Sequence, residues 1–251
     1  MAARIQNMTE GKPLKLILAF SLPLMIGNVF QQLYTVVDTM VVGQALGVGA
    51  LAALGAADWL NWMILGTIQG FTQGFSIKMS HEFGAGDYKR LRKTVANSLL
   101  LALVTSVVLL LFSQFFARPI LELLQTPDLI IEDSLSYLRI MFAGIPVVMA
   151  YNILASILRA LGDGKTPLYA MVVAAVINVI LDLIFVLGFH WGIMGAAGAT
   201  VIAQLCSGLF CLFAILRVEV LAFSKEDFRM DSSLCMYCLL YTSDAADEED
   251  S

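Results

Sequence analysis

Six long apolar stretches, separated by short polar segments, leave this chain of 251 residues few folds to choose from. Their approximate limits are 14–43, 50–78, 94–117, 134–159, 166–188 and 193–217. As helices rising about 1.5 Å per residue, each can cross the ~30 Å hydrocarbon core of a bilayer. The expected fold is all-α: a polytopic membrane protein with a six-transmembrane-helix bundle over 14–217, preceded by a cytoplasmic N-terminal segment over 1–13. Composition agrees, with 59% hydrophobic and 14% charged residues and a mean hydropathy of +0.82. Soluble domains are roughly 45–50% apolar. The first stretch follows Arg4, Lys12 and Lys15 as a signal peptide would, but it exceeds a signal core and lacks a small-x-small cleavage site. It is expected to be a transmembrane helix long enough to need tilting or bending, with Pro23 a place to bend.

Charge distribution orients the bundle. Thirteen Lys and Arg fall at the N-terminus, between helices two and three, between four and five, and after six; Arg118 and Arg139 alone lie on the other side. The positive-inside rule then places both termini in the cytoplasm and Trp59, Trp62 and Trp191 at the outer ends of their helices. The cell's inner (plasma) membrane is the expected location. The formal charge of −5 is misleading, because the last fourteen residues, CLLYTSDAADEEDS, carry five acids and no base. Cys238 to Glu248 resembles translated sequencing-adapter read-through, so 238–251 is expected to be a non-native acidic tail and 218–237 the start of a cytoplasmic linker. Cys206 and Cys211 read as small core residues. Cys235-x-x-Cys238 straddles the suspect tail and is given no chemistry.

Charged groups inside the spans are few and costly, roughly 2.5–3.5 kcal/mol for a carboxylate near the bilayer centre. Asp38 interrupts the first stretch within NVFQQLYTVVDTMVVG, and Gln31, Tyr34 and Thr35 share its helix face by i, i+3, i+4, i+7 spacing. Asn178 and Asp182 sit four apart in the fifth stretch. Asp38 lies about 34 Å along its helix from Lys15, and Asp182 about 24 Å from Thr166, so both belong to the outer half of the bilayer. Thr200, just inside the outer end of helix six, can reach that layer. Such a group could hold a proton or a small cation on hard oxygen ligands, Na⁺ included, at Asp38 and Asp182. The plain alternative is that each Asp snorkels outward or is hydrogen-bonded structurally, and that Gln31, Asn152 and Asn178 are interhelical glue. Asp58, beside Trp59, reads as an interface or capping residue. Two glycine series, Gly66/Gly70/Gly74 and Gly192/Gly195/Gly198, are candidate seams for close helix approach.

No soluble-enzyme signature competes. The GAGDYKRLRK segment lacks the strand–turn–helix setting of a phosphate-binding loop, and its basic residues fit a membrane surface better than nucleic acid. No His/Cys cluster has metal spacing, so neither enzyme chemistry nor a cofactor is expected.

Four ordered segments carry a resemblance: LPLMIGNVFQQLYTVVDTMVVG, FGAGDYKRLRKTVANS, RALGDGKTPLYAMVVAAVINVILDLIFVLG and GIMGAAGATVIAQ. Over residues 10 to about 230 the chain resembles the N-terminal half of a multidrug and toxic compound extrusion (MATE) transporter. The resemblance implies one six-helix lobe of a twelve-helix fold, alternating access, and export of organic cations driven by inward H⁺ or Na⁺. It implies a cation site at Asp38, Asn178 and Asp182, with Gln31, Tyr137, Asn152 and Thr200 around it. Its partners would be the lipid bilayer, small organic cations and a C-terminal lobe that is missing here, the full-length protein being monomeric. A lipid-linked precursor flippase of the same superfamily and a small six-helix channel are the alternatives.

Overall fold

A computed structural model describes residues 13–221 and Asp227; the charged N-terminal segment, most of the linker and the acidic tail lie outside the described residues. Seven α-helices occupy this range: α1 Pro13–Leu46, α2 Val48–Gly84, α3 Tyr88–Leu123, α4 Asp128–Ala143, α5 Ile145–Ala160, α6 Lys165–Asp182 and α7 Gly192–Ile215. A π-helical turn, Leu183–Gly188, continues α6, and a 3₁₀ turn, Glu219–Leu221, follows α7. Among the described residues, four helices are long and apolar enough to cross a membrane individually, and the bent pair α4–α5 makes a fifth span. Helix α1 runs unbroken through Pro23 for 34 residues.

The expected single span over 134–159 is corrected by a break. Its two halves meet at Gly144 with a bend of 47°. The cause is local: Pro146 has no N–H to give to the Phe142 carbonyl, and its ring crowds that carbonyl. Gly144 also sits where a Cβ would meet Val201 of α7 at 2.6 Å. The chain turns at a close approach to its neighbour.

Helix ends also lie further out than hydropathy suggests. Helix α2 continues to Gly84 and α3 starts at Tyr88, leaving a turn of three residues. The Asp87 carboxylate caps that start, accepting from the Arg90 N–H at 3.1 Å, which satisfies one orphan donor of the first turn. Asp163 does the same for α6, taking the Lys165 and Thr166 N–H groups at 3.1 and 3.0 Å. At its other end α2 already begins at Val48, with Gly47 at φ 83° before it. Asp58 is therefore an exposed residue within the helix, not its cap.

Packing centres on α7, which lies against α4, α5, α6 and, more lightly, α1. Helix α2 packs on α3, α4 and α5, while α1 docks mainly along α6. Large side chains such as Phe75, Phe142, Met149 and Leu158 fill the bundle interior. Of the glycine seams, Gly195 makes a real close approach, since a Cβ there would meet Phe185 backbone atoms at 3.2–3.3 Å. Gly66 and Gly198 face open space. After α7 the chain is tied back to α3, Arg92 donating to the Val220 carbonyl at 3.5 Å and pairing with Asp227 at 3.9 Å.

Candidate functional site

Helices α1, α4, α6 and α7 bring the polar residues near one end of the bundle together. Asp38 is 9% exposed and Asp182 fully buried. Their carboxyl groups lie close enough to interact electrostatically. Asp38 Oδ1 and both Asp182 oxygens meet no donor among the described residues. Two carboxylates cannot share a dry site with both charges bare, because each loses its hydration and repels the other. A proton between them, or a cation against them, resolves both problems.

One helical turn below Asp182, the Asn178 amide donates to Thr200 Oγ1 on α7 at 3.3 Å. Tyr137 on α4 is buried and lies within electrostatic reach of Asp38, Asp182 and Tyr34. Asp182 is the last residue of regular α-helix before the π-helical turn. Widened turns of this kind recur at functional positions because they shift the side-chain register around them.

Beneath the carboxylates a small open cavity of about 30 Å³ lies between α1, α5, α6 and α7. Gln31 and Tyr34 line one wall and Asn178 and Met171 another, while Tyr151 enters from α5 and Thr200, Gln204 and Ser207 from α7. No Lys, Arg or His is among its lining residues.

The sequence-derived set thus divides. Asp38 and Asp182 meet; Asn178 and Thr200 join each other and, with Gln31, face the cavity; Tyr137 is buried nearby. Asn152 is half-buried and donates to the Val148 carbonyl of its own helix at 2.9 Å, and it does not line the cavity. Thr35, on the predicted polar face of α1, is exposed and bonds back to the Gln31 carbonyl. Tyr151, Gln204 and Ser207 were not anticipated. Gln204 had a signal, a lone amide four residues after Thr200 on an otherwise apolar helix. Tyr151 had none, since a tyrosine in a span is unremarkable until its neighbours are placed.

A buried acidic pair above an uncharged, partly aromatic cavity, inside a helical bundle with multiple spans, belongs to a multi-pass membrane transporter. The chain matches the MatE family over residues 23–184, and it belongs to that family of multidrug efflux transporters. It is 32% identical over 218 residues to the probable multidrug resistance protein YpnP of Bacillus subtilis, covering 87% of this chain and 49% of that protein. YoeA, a second probable multidrug resistance protein of that organism, is 33% identical over 228 residues, covering 88% and 49%. The chain therefore spans about half the length of the curated relatives it matches. Among solved structures, a MOP superfamily transporter from Pyrococcus furiosus, described as having a binding pocket of reverse polarity, superposes with a TM-score of 0.89 at 26% identity, over 96% of this chain and 54% of that one. An outward-facing multidrug resistance MATE transporter gives 0.88 at 26% identity over 95% and 53%, and an inward-facing one 0.79 at 26% over 90% and 52%.

Proposed function

We propose that this chain is the N-terminal lobe of a secondary antiporter that exports organic cations in exchange for H⁺ or Na⁺. The observation that carries the reading is the Asp38–Asp182 pair, buried together with Asp38 Oδ1 and both Asp182 oxygens meeting no donor among the described residues. Binding a proton or Na⁺ there removes the repulsion between α1 and α6. Losing it restores the repulsion. That makes the spacing of two packed helices depend on occupancy, which is what coupling needs: a ligand that binds one arrangement better than the other. The adjoining cavity, with Tyr34, Tyr151, Met171 and two amide side chains, suits a flat cationic body. Its wall shared with Asn178 and Thr200 lets substrate and coupling ion influence one another through common side chains.

Both termini lie in the cytoplasm on this reading, with the lobe in the plasma membrane and a second lobe completing the central passage. The absence of Lys and Arg from the cavity lining favours cationic substrates over an anionic lipid-linked precursor. In a full-length transporter carrying this lobe, Asp38→Asn is expected to lower proton- or sodium-driven export of dye cations at least tenfold while leaving the protein in the membrane. Export at the parent rate would remove Asp38 from coupling. A lipid-flux assay and bilayer conductance of the isolated chain test the flippase and channel alternatives.

A further inference from the structure

A third carboxylate stands near the buried pair. Asp58 is exposed on α2, and among the described residues no hydrogen bond or ion pair engages it. Packing register fixes its depth. Gly43 and Leu51 face each other across the α1–α2 turn, a Cβ on Gly43 lying 3.9 Å from both Leu51 methyl carbons. Counting on from that pair at about 1.5 Å per residue, Asp38 comes level with Ala56, roughly 3 Å from the level of Asp58. Helix α4, which runs in the same direction as α2, agrees. Ser134 Oγ donates to the Ala53 carbonyl at 3.0 Å, so Tyr137, one turn further along, also stands near Ala56. Asp58 lies within electrostatic reach of both Asp38 and Tyr137.

The three carboxylates differ in access. Asp182 is fully buried and Asp38 keeps 9% exposure, so Asp38 is the member of the pair nearer the surface. Thr39 beside it is exposed, its hydroxyl donating back to the Thr35 carbonyl at 2.8 Å. An exposed carboxylate on a spanning helix faces water or a polar surface, because acyl chains would cost it roughly 2.5–3.5 kcal/mol. Asp58 therefore sits where water reaches, and the pair where water is largely shut out. No described base neutralises it: Arg139, the single base on α4, is exposed and makes no ion pair with it, and Lys78 and His81 lie toward the far end of α2. An unpaired surface carboxylate against a low-dielectric wall concentrates cations and speeds their arrival.

We propose that Asp58 is the entry residue for the coupling cation, collecting H⁺ or Na⁺ at the surface of α2 and passing it inward to Asp38. This rests on the export reading above and adds the route by which its buried pair is loaded. In the proton case the O–H bond at Asp58 breaks as one forms at Asp38, leaving Asp58 a carboxylate and Asp38 neutral. In the sodium case the ion leaves one carboxylate for the other. Asp58 is thus a positioning residue that sets how fast the pair fills, with little effect on how fully.

The test applies time-resolved infrared spectroscopy to the 251-residue chain in lipid nanodiscs. It follows the carboxyl bands that vanish in Asp38→Asn, after a jump in proton or in sodium concentration. Asp58→Asn is expected to slow their change about tenfold, while the final amplitude changes less than about twofold. Asp58→Glu is expected to restore the parent rate to within about threefold, and added salt should slow the parent but not Asp58→Asn. Should the Asn variant fail to fold, Asp58→Ser is read in its place against the same criteria. An unchanged rate in Asp58→Asn, or a change of amplitude alone, overturns the entry role and leaves the export reading standing. If the parent shows no Asp38-dependent band with either cation, the export reading fails and this inference with it.

Discussion

Gly144→Ala adds one methyl group where the structure has no room for it. The new Cβ would lie 2.6 Å from Val201 Cγ2 and 3.1 Å from both Val201 Cγ1 and the Met141 carbonyl oxygen. Relaxed carbon–carbon contacts are about 3.5–4.0 Å, so roughly 1 Å has to be found. Val201 is poorly placed to yield: its β-branched side chain has one dominant χ1 well in a helix. The Met141 oxygen is main chain and cannot swing away. Helix α7 must therefore back off from the α4–α5 break, or the bend must open. Overpacking of this kind costs about 1–3 kcal/mol, offset by the ~0.4–1 kcal/mol that Gly→Ala gains by restricting the unfolded chain. The backbone at Gly144 (φ −76°) already suits an L-residue, so the net loss is expected at about 1–2 kcal/mol. Unfolding in detergent, followed by tryptophan fluorescence, measures it. Val201→Ala in the Gly144→Ala background should recover at least about 1 kcal/mol relative to the sum of the single changes. Stability of Gly144→Ala equal to the parent, or strict additivity in the cycle, would refute the close-approach reasoning.

Three further outcomes follow from other contacts. Asp163→Ala removes the acceptor for the Lys165 and Thr166 N–H groups and the Thr166 hydroxyl, 2.6 Å from Oδ2, and should cost about 1–2 kcal/mol in the same unfolding assay, with Asp163→Asn recovering part of it. Gly195→Ala puts a Cβ 3.1 Å from Phe185 Cβ and 3.2 Å from its carbonyl carbon; since main chain cannot rotate out of the way, a lower melting temperature is expected, and an unchanged one would show the α7 start to be loosely packed. Thr200→Val leaves the Asn178 amide nitrogen without its acceptor and should destabilise by about 1–3 kcal/mol, whereas Thr200→Ser should stay within about 1 kcal/mol of the parent.

Much of the site was legible because transmembrane helices obey a simple rule. Polar residues are rare there, and a 3.6-residue period tells which of them share a face. That reasoning put Asp38 with Gln31 and Tyr34, and Asp182 with Asn178, and counting residues from the helix ends set both carboxylates at similar depth. It misjudged Thr35, which periodicity assigns to the polar face but which bonds back to its own helix and stays exposed. A threonine hydroxyl can satisfy itself on the preceding turn, so its presence on a face says little about what it serves. Asn152 illustrates the same limit, its amide also bonded one turn back to Val148.

Hydropathy, charge asymmetry and spacing determined by themselves that this chain is a helical bundle in a membrane, roughly where its spans lie, and which acidic residues are too costly to be incidental. They could do so because desolvation acts on each residue separately, whatever its neighbours. Tertiary structure alone decided that the fourth span breaks at Gly144, and that Tyr151 and Gln204 turn toward the same space as Asn178. Those outcomes depend on the rotation and spacing of one helix against another. Such interhelical geometry is set by side-chain packing such as Gly144 against Val201 and Gly195 against Phe185, which no single segment encodes.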